Sequence, residues 1–340
     1  MILALVGDVM LGRGVAMEIE RRPPESFWGD TLPMLRGADL VIGGLECAIT
    51  THRIPWTRTP KVFHFRAPPK AVDVLLASGI RCVPLANNHT LDFEEQGLLD
   101  TIEYLDAAGI AHAGAGRTLA EATAPALLEA GGVRIGLVAF TDNEPVWAAG
   151  PDRPGTNHIE IRPEPDTLQR VEQGVEQARA QGAQVVILSL HWGPNMRLRP
   201  PERFRRFARA VQARGVDLVY GHSAHIFQGV EVYQDKPILY DTGDFLDDYA
   251  VDPVLRNDQS LIFMADVDEQ GVRELRLVPV RLNYAVVNRA VGQDLEEISE
   301  RMRALSAEMG TPVERTDSIL RVAVRADGDR KPPGSSETHL

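Results

Sequence analysis

Eight side chains that can bind a cation or move a proton close apolar runs in this sequence. They are Asp8, Glu46, Asn87, Asn88, His89, His191, His222 and His225. The runs read "ILALVGD", "ADLVIGGLE", "GIRCVPLANNH", "AQVVILSLHWG" and "VDLVYGHSAH". Each is the pattern of a buried strand with a polar tip. Ligands in α/β sheets collect outside the carboxyl ends of strands, so neighbouring strands would bring all eight together. Carboxylate, amide oxygen and imidazole are ligands for borderline divalent ions such as Mn, Zn, Fe or Co. Two such ions about 3.5–4 Å apart can clamp a phosphoryl group and deliver a nucleophile. Taken singly, each residue has a plainer use. Asp8 after Gly7 suits a turn, Asn87, Asn88 or Thr90 could cap a helix, and His191 could sit in a core. Taken jointly, ligand types end all five runs, while His52, His64, His112 and His158 end none.

The elements that would position these groups alternate along the chain. Leu91, Leu98, Leu99, Ile102 and Leu105 recur at helical spacing and predict a helix over 91–109, closed by Gly109. "VRIGLVAF" predicts a strand at 133–140, "EPDTLQRVEQGVEQARAQG" an amphipathic helix, and "PERFRRFARAVQARG" a helix with Pro at its start and Gly after its end. Strand followed by helix is the α/β signature. After about residue 226 the runs read as strands without long helices between them, which predicts antiparallel strands added to the same body. A helix is expected at 293–309 and a disordered tail at 326–340, with 1–325 forming one domain. Residues 50–69 carry aromatic and basic side chains but no clear element, which suggests a rim or lid.

The totals set limits. The 340 residues are 44% apolar and carry a formal charge of −12, so nucleic acid and anionic membranes are not expected partners. An anionic substrate, small or polymeric, would need local cations. The two cysteines, Cys47 and Cys82, lie in apolar runs and read as buried hydrophobes. The start "MILALVGDVML" lacks the features of a secretory signal, and no run has the roughly 18 apolar residues of a membrane span. A cytoplasmic location is expected.

The segments "GDVMLGR", "GLECAIT", "FRAPP", "ANNHTLDFEEQGLLDT", "HWG", "GHSAHIFQGVEVY" and "KPILYDTGDF" occur in the order found in the CapA family of capsule and poly-γ-glutamate biosynthesis, which the chain resembles over about residues 1–285. That family is related to the calcineurin-like metallophosphatases. The resemblance implies a four-layer α/β/β/α sandwich with mixed sheets and a binuclear centre of two divalent ions (Mn, Zn or Fe). By the same resemblance, Asp8 and His225 would bind the first ion, Asn88, His191 and His222 the second, and Glu46 would bridge. His89 would match the catalytic His of the metallophosphatase "GNH" motif, with Asp92 either orienting it or capping the following helix. The candidates for substrate contact are Arg13 and Arg66, which could equally form surface salt bridges, Asn87, and Trp192, whose plainer use is buried packing. The implied activity is metal-dependent hydrolysis, most simply of a phosphoester. The alternative is an accessory role in capsule or poly-γ-glutamate synthesis, binding polymer or cutting an amide. Met10 stands where metallophosphatases have the His of Asp-x-His, so the first ion is implied to be one ligand short. Asn195 replaces the Glu of "HWGxE", Asp244 replaces the Asn of "GNF", and "GHSAH" is one residue longer than Gly-His-x-His.

Overall fold

The computed structural model describes residues 1–325. The tail expected at 326–340 lies outside the described residues.

Two large mixed sheets form the centre. In the ten-stranded sheet, Ile2–Val9, Leu40–Leu45, Ile80–Pro84 and Ala111–Ala113 run parallel, and Gln259–Asp268, Gly271–Asn283 and Ile319–Ala323 extend it antiparallel from the other side of Ile2–Val9. In the six-stranded sheet, Val133–Thr141, Val185–His191, Leu218–His222 and Lys236–Leu239 run parallel, with Ala126–Ala130 and Val230–Tyr233 antiparallel at the edges.

The alternation of side chains along a strand fixes the layering. Leu3, Leu5 and Ile42 point from the first sheet into the cluster that holds Ile135, Leu137, Ile187 and Tyr220 of the second. Their neighbours Ala4 and Val6 point the other way, onto Val74, Leu75, Leu98 and Ile102 of the helices Ala71–Ser78 and Glu94–Ala107. Val186, Leu188 and Val219 likewise face Val171, Val175, Phe207 and Val211 of the helices Pro165–Ala180 and Glu202–Gln212. The order is helix, sheet, sheet, helix, the four-layer sandwich with mixed sheets that the family resemblance implies. Beneath the strand ends, the buried Tyr220 hydroxyl donates to the Val6 carbonyl and ties one sheet to the other.

Two boundaries differ from expectation for a reason that matters to the site. The helix expected from residue 91 begins at Glu94. Residues 89–92 are spent on a tight turn, in which Asp92 N–H reaches the His89 carbonyl at 3.4 Å. The strands after residue 226 also divide between the two sheets. Val230–Tyr233 and Lys236–Leu239 form a hairpin in the second sheet, across Gln234 and Asp235 at φ +50° and +58°, a pair that fits a primed turn. Cys47 and Cys82 are both free and buried, and burial pushes the Cys47 thiol up to about 12. Among the described residues, no helix is long and apolar enough to cross a membrane.

Candidate metal centre

The carboxyl ends of the parallel strands deliver their polar tips to one place between the sheets. Asp8 ends Ile2–Val9, and Glu46 follows Leu40–Leu45. His191 and His222 close two adjacent parallel strands in register with each other. Asp8 Oδ1 lies 3.3 Å from His222 Nδ1 and 3.8 Å from His191 Nδ1. The two imidazoles approach at Nδ1 to 2.8 Å, and His191 Nε2 is 2.8 Å from Asn88 Oδ1. Glu46 Oε1 is 3.9 Å from the Nε2 atoms of both His89 and His191.

Two groups of donors result. Asp8, His191 and His222 offer ligand atoms within 4.8 Å of one another, and so do Asp8, Glu46, His225 and Asp244. The carboxylate common to both is Asp8, where the sequence reading put Glu46 in the bridging place. The second group contains Asp244, which that reading counted only as a departure at "GDF". Asp244 sits opposite Asp8 on a short strand, Asp244–Leu246, parallel to the first. The pairing is close enough that a Cβ on Gly7 would come within 1.8 Å of the Gly243 carbonyl oxygen, so only glycine fits there. Met10, at the position of the missing His, is buried, and its sulfur accepts from Gly12 N–H at 3.0 Å. The extra residue of "GHSAH" is absorbed by left-handed backbone at Ser223 (φ +114°) and His225 (φ +61°), which returns His225 to the cluster. Arg13, Glu144 and Met196 around the adjoining cavity also have positive φ. Strain of this kind collects where function over-determines the backbone.

Whether these residues suit a cation can be tested on their charge. Asp8 Oδ1, Glu46 Oε1 and Asp244 Oδ2 are buried without a hydrogen-bond partner. An unsatisfied buried acceptor costs about 1–3 kcal/mol, and more when charged, so buried carboxylates are normally paired or bound to metal. Burial and the neighbouring Asp8 carboxylate push Glu46 well above the usual carboxylate range. Burial also raises Asp244, despite the His225 imidazole 2.8 Å away. His225 is raised against the cost of its own burial, because Asp244, Glu46 and Asp8 surround it. Burial alone would raise Asp8, but the imidazoles of His222, His191 and His225 hold it at about 2. Burial keeps His191 neutral, the form that ligates metals. The donor set therefore fits divalent ions: buried His, Asp and Glu groups that could bind metal, with excess negative charge beside neutral imidazole.

His89 stands at the edge of the cluster in a fixed frame. Its Nδ1 is 2.5 Å from Asp92 Oδ2, which also accepts from Phe65 N–H at 2.6 Å. The Phe65 ring stacks on the imidazole at 3.9 Å between centroids. Burial lowers the His89 pKa. Lys61 approaches Asp92 Oδ1 at 3.3 Å and donates to the Asn88 carbonyl at 2.6 Å, although its side chain is only 6% exposed. Lys61 and Phe65 belong to the 50–69 segment, whose ends are stapled by Ala48–Ile49 pairing with Arg66–Ala67. The segment thus reaches into the centre, a contact that sequence reasoning missed. A Lys among aromatics in a structureless loop was its only signal.

A cavity of about 870 Å³ opens over the cluster, with Asn88, His89, His225, Tyr249, Lys61 and Arg13 in its wall. Tyr249 donates to Glu46 Oε2 at 3.0 Å. Two expected substrate contacts are elsewhere. Trp192 is 3% exposed, stacks on Phe204 at 4.6 Å and donates to the Tyr240 carbonyl at 2.8 Å, so it packs against the helical layer and does not wall the cavity. Asn87 is consumed by the turn, donating to the Leu45 carbonyl at 2.7 Å and accepting from His89 N–H at 2.9 Å. Arg66 faces a neighbouring pocket.

The sequence model of the bacterial capsule synthesis protein family PGA_cap matches residues 2–249, a span that holds every donor named above. A "Probable polyglutamine synthesis accessory protein" of Mycobacterium tuberculosis is 31% identical over 367 residues, covering 95% of this chain and 96% of that one. "Capsule biosynthesis protein CapA" of Bacillus anthracis is 26% identical, covering 82% and 67%. "PGA biosynthesis protein CapA" of Bacillus subtilis is 27% identical, covering 83% and 72%.

Proposed function

The chain belongs to the bacterial capsule synthesis protein family PGA_cap, and on that premise we propose that it is a metal-dependent hydrolase of the metallophosphatase type, cleaving a phosphoester in an anionic substrate. What carries the reading is the joining of two donor groups through Asp8, with unpartnered oxygens of Asp8, Glu46 and Asp244 buried beside them. Asn88, His191 and His222 would hold one divalent ion (Mn, Zn or Fe), and Glu46, His225 and Asp244 another, with Asp8 common to both. Ions held there polarise a phosphoryl or carbonyl oxygen and supply a nucleophile at neutral pH.

The chain's own contribution is positional and acid–base. Asp92 accepts the Nδ1 proton of His89 and fixes the tautomer, which leaves Nε2 as the atom that exchanges a proton with substrate. An anionic substrate against Nε2 favours the doubly protonated ring, which then donates to the leaving oxygen. Lys61 offsets the second oxygen of Asp92, and Phe65 holds the plane of the imidazole. In a screen of phosphomono- and diesters with added Mn or Zn, His89→Ala is expected to lower kcat by about 10²–10⁴-fold. Metal content by elemental analysis should stay at the wild-type level. Unchanged turnover would remove His89 from the reaction.

The names of the relatives favour a second reading, in which the same site serves the synthesis of poly-γ-glutamate or another capsule polymer by binding the chain or by cutting an amide in it. Its signature is polymer binding unaffected by His89→Ala, or amide cleavage in the polymer, without turnover of phosphoesters.

A further inference from the structure

Beside the cavity over the donor cluster lies a second pocket, of about 540 Å³, and Arg13 lines both. Its wall includes Arg53, Arg66, His64 and Thr51, with Glu20 as the one acid among its lining residues. In a chain of net charge −12 this is a local reversal of sign. The guanidinium groups are held in different ways. Arg66 donates through Nη1 to the His52 carbonyl at 3.1 Å and lies over the Phe93 ring at 5.3 Å, which fixes its plane while the other N–H groups stay available. Arg13 approaches Asp248 at 3.4 Å and keeps 41% of its side chain exposed. Among the described residues Arg53 makes no ion pair. His64 is oriented by a contact of 2.8 Å between Nε2 and the Trp56 carbonyl.

Resting on the reading above, we infer that this pocket is a second anion subsite. It takes a carboxylate or phosphoryl group of a substrate whose neighbouring anionic group lies over the donor cluster, with Arg13 as the shared wall. A substrate that fills both places carries at least two anionic groups and is not a compact monoanion. Planar guanidinium groups that grip two oxygens in parallel suit either anion.

Binding of labelled hexaglutamate and, as a second arm, of a short linear polyphosphate is measured by fluorescence anisotropy on the full chain, with free glutamate and inorganic phosphate as short probes. Arg53→Ala/Arg66→Ala is expected to weaken the longer probe of the favoured chemistry about tenfold or more and to leave the short probes unchanged. Whichever arm responds identifies the anion. Because Arg66 also supports its loop, Arg53→Glu alone, at an exposed residue, should act in the same direction, and Glu20→Gln should tighten binding. Equal affinity of wild type and these variants for both long probes overturns the subsite, even if metal-dependent turnover is found. Arginine-dependent binding without turnover sustains the subsite and overturns the hydrolase reading alone.

Discussion

His191 and His222 reach Asp8 from two strands hydrogen-bonded in register, whereas His225 and Asp244 reach it from a left-handed turn and a three-residue strand. The first half of the cluster is rich in nitrogen, and both of its imidazoles are partnered. His222 Nε2 is 2.9 Å from the Ser189 hydroxyl, and His191 is partnered at both ring nitrogens. The second half is rich in oxygen, and two of its carboxylates each keep a buried atom without a partner. Regular sheet supplies a preformed nitrogen pair with Asp8 and Glu46 at its edge, and irregular backbone adds Asp244 and His225. In ligand chemistry the halves differ in the same way, since imidazole suits Zn or Fe and carboxylate suits Mn or Mg.

The largest effect is expected at the residue the two halves share. Asp8→Ala should abolish binding at both halves, so that elemental analysis of protein loaded with Mn or Zn falls from two ions per chain to trace levels. Retention of one ion would mean that Asp8 serves one half only. Next, His191→Ala and Asp244→Asn should each leave one ion, and the retained ion should differ in preference. The His191 variant should favour Mn, and the Asp244 variant should favour Zn. If Asp244 merely orients His225, its variant keeps both ions and loses about 10–100-fold in affinity at that half. The smallest effects sharpen the contrast from outside the donors. Ser189→Ala removes the partner of His222, and Tyr249→Phe removes the donor to Glu46. Each should cost about tenfold in affinity, the first for the nitrogen-rich half and the second for the oxygen-rich half, read by competition with a chromophoric chelator.

The same division decides what could be read from the sequence. Asp8, Glu46, Asn88, His191 and His222 are legible because an apolar run followed by a polar residue marks the end of a buried strand, and parallel strands end on one edge. Asp244 was harder to place. It ends "KPILYDTGD" as Asp8 ends "ILALVGD", with the same Gly-Asp pair. Only the close approach of Gly7 to Gly243 makes that repetition a contact. The fold class was legible for the reason the strand tips were, since strand and helix alternate to about residue 226. The hold of Lys61 and Phe65 on His89 was not, because a loop without periodicity carries no signal of where its side chains land. Of its two readings, contact with substrate or buried packing, Trp192 takes the second. The side chain next to His191 along a strand points to the opposite face, into the helical layer.

The most direct test of the cradle is anomalous diffraction from crystals grown with Mn or Zn. Two peaks are expected, one among Asp8, His191 and His222 and the other among Asp8, Glu46, His225 and Asp244. The absence of a peak in either place, or peaks only at surface carboxylates, would contradict the account.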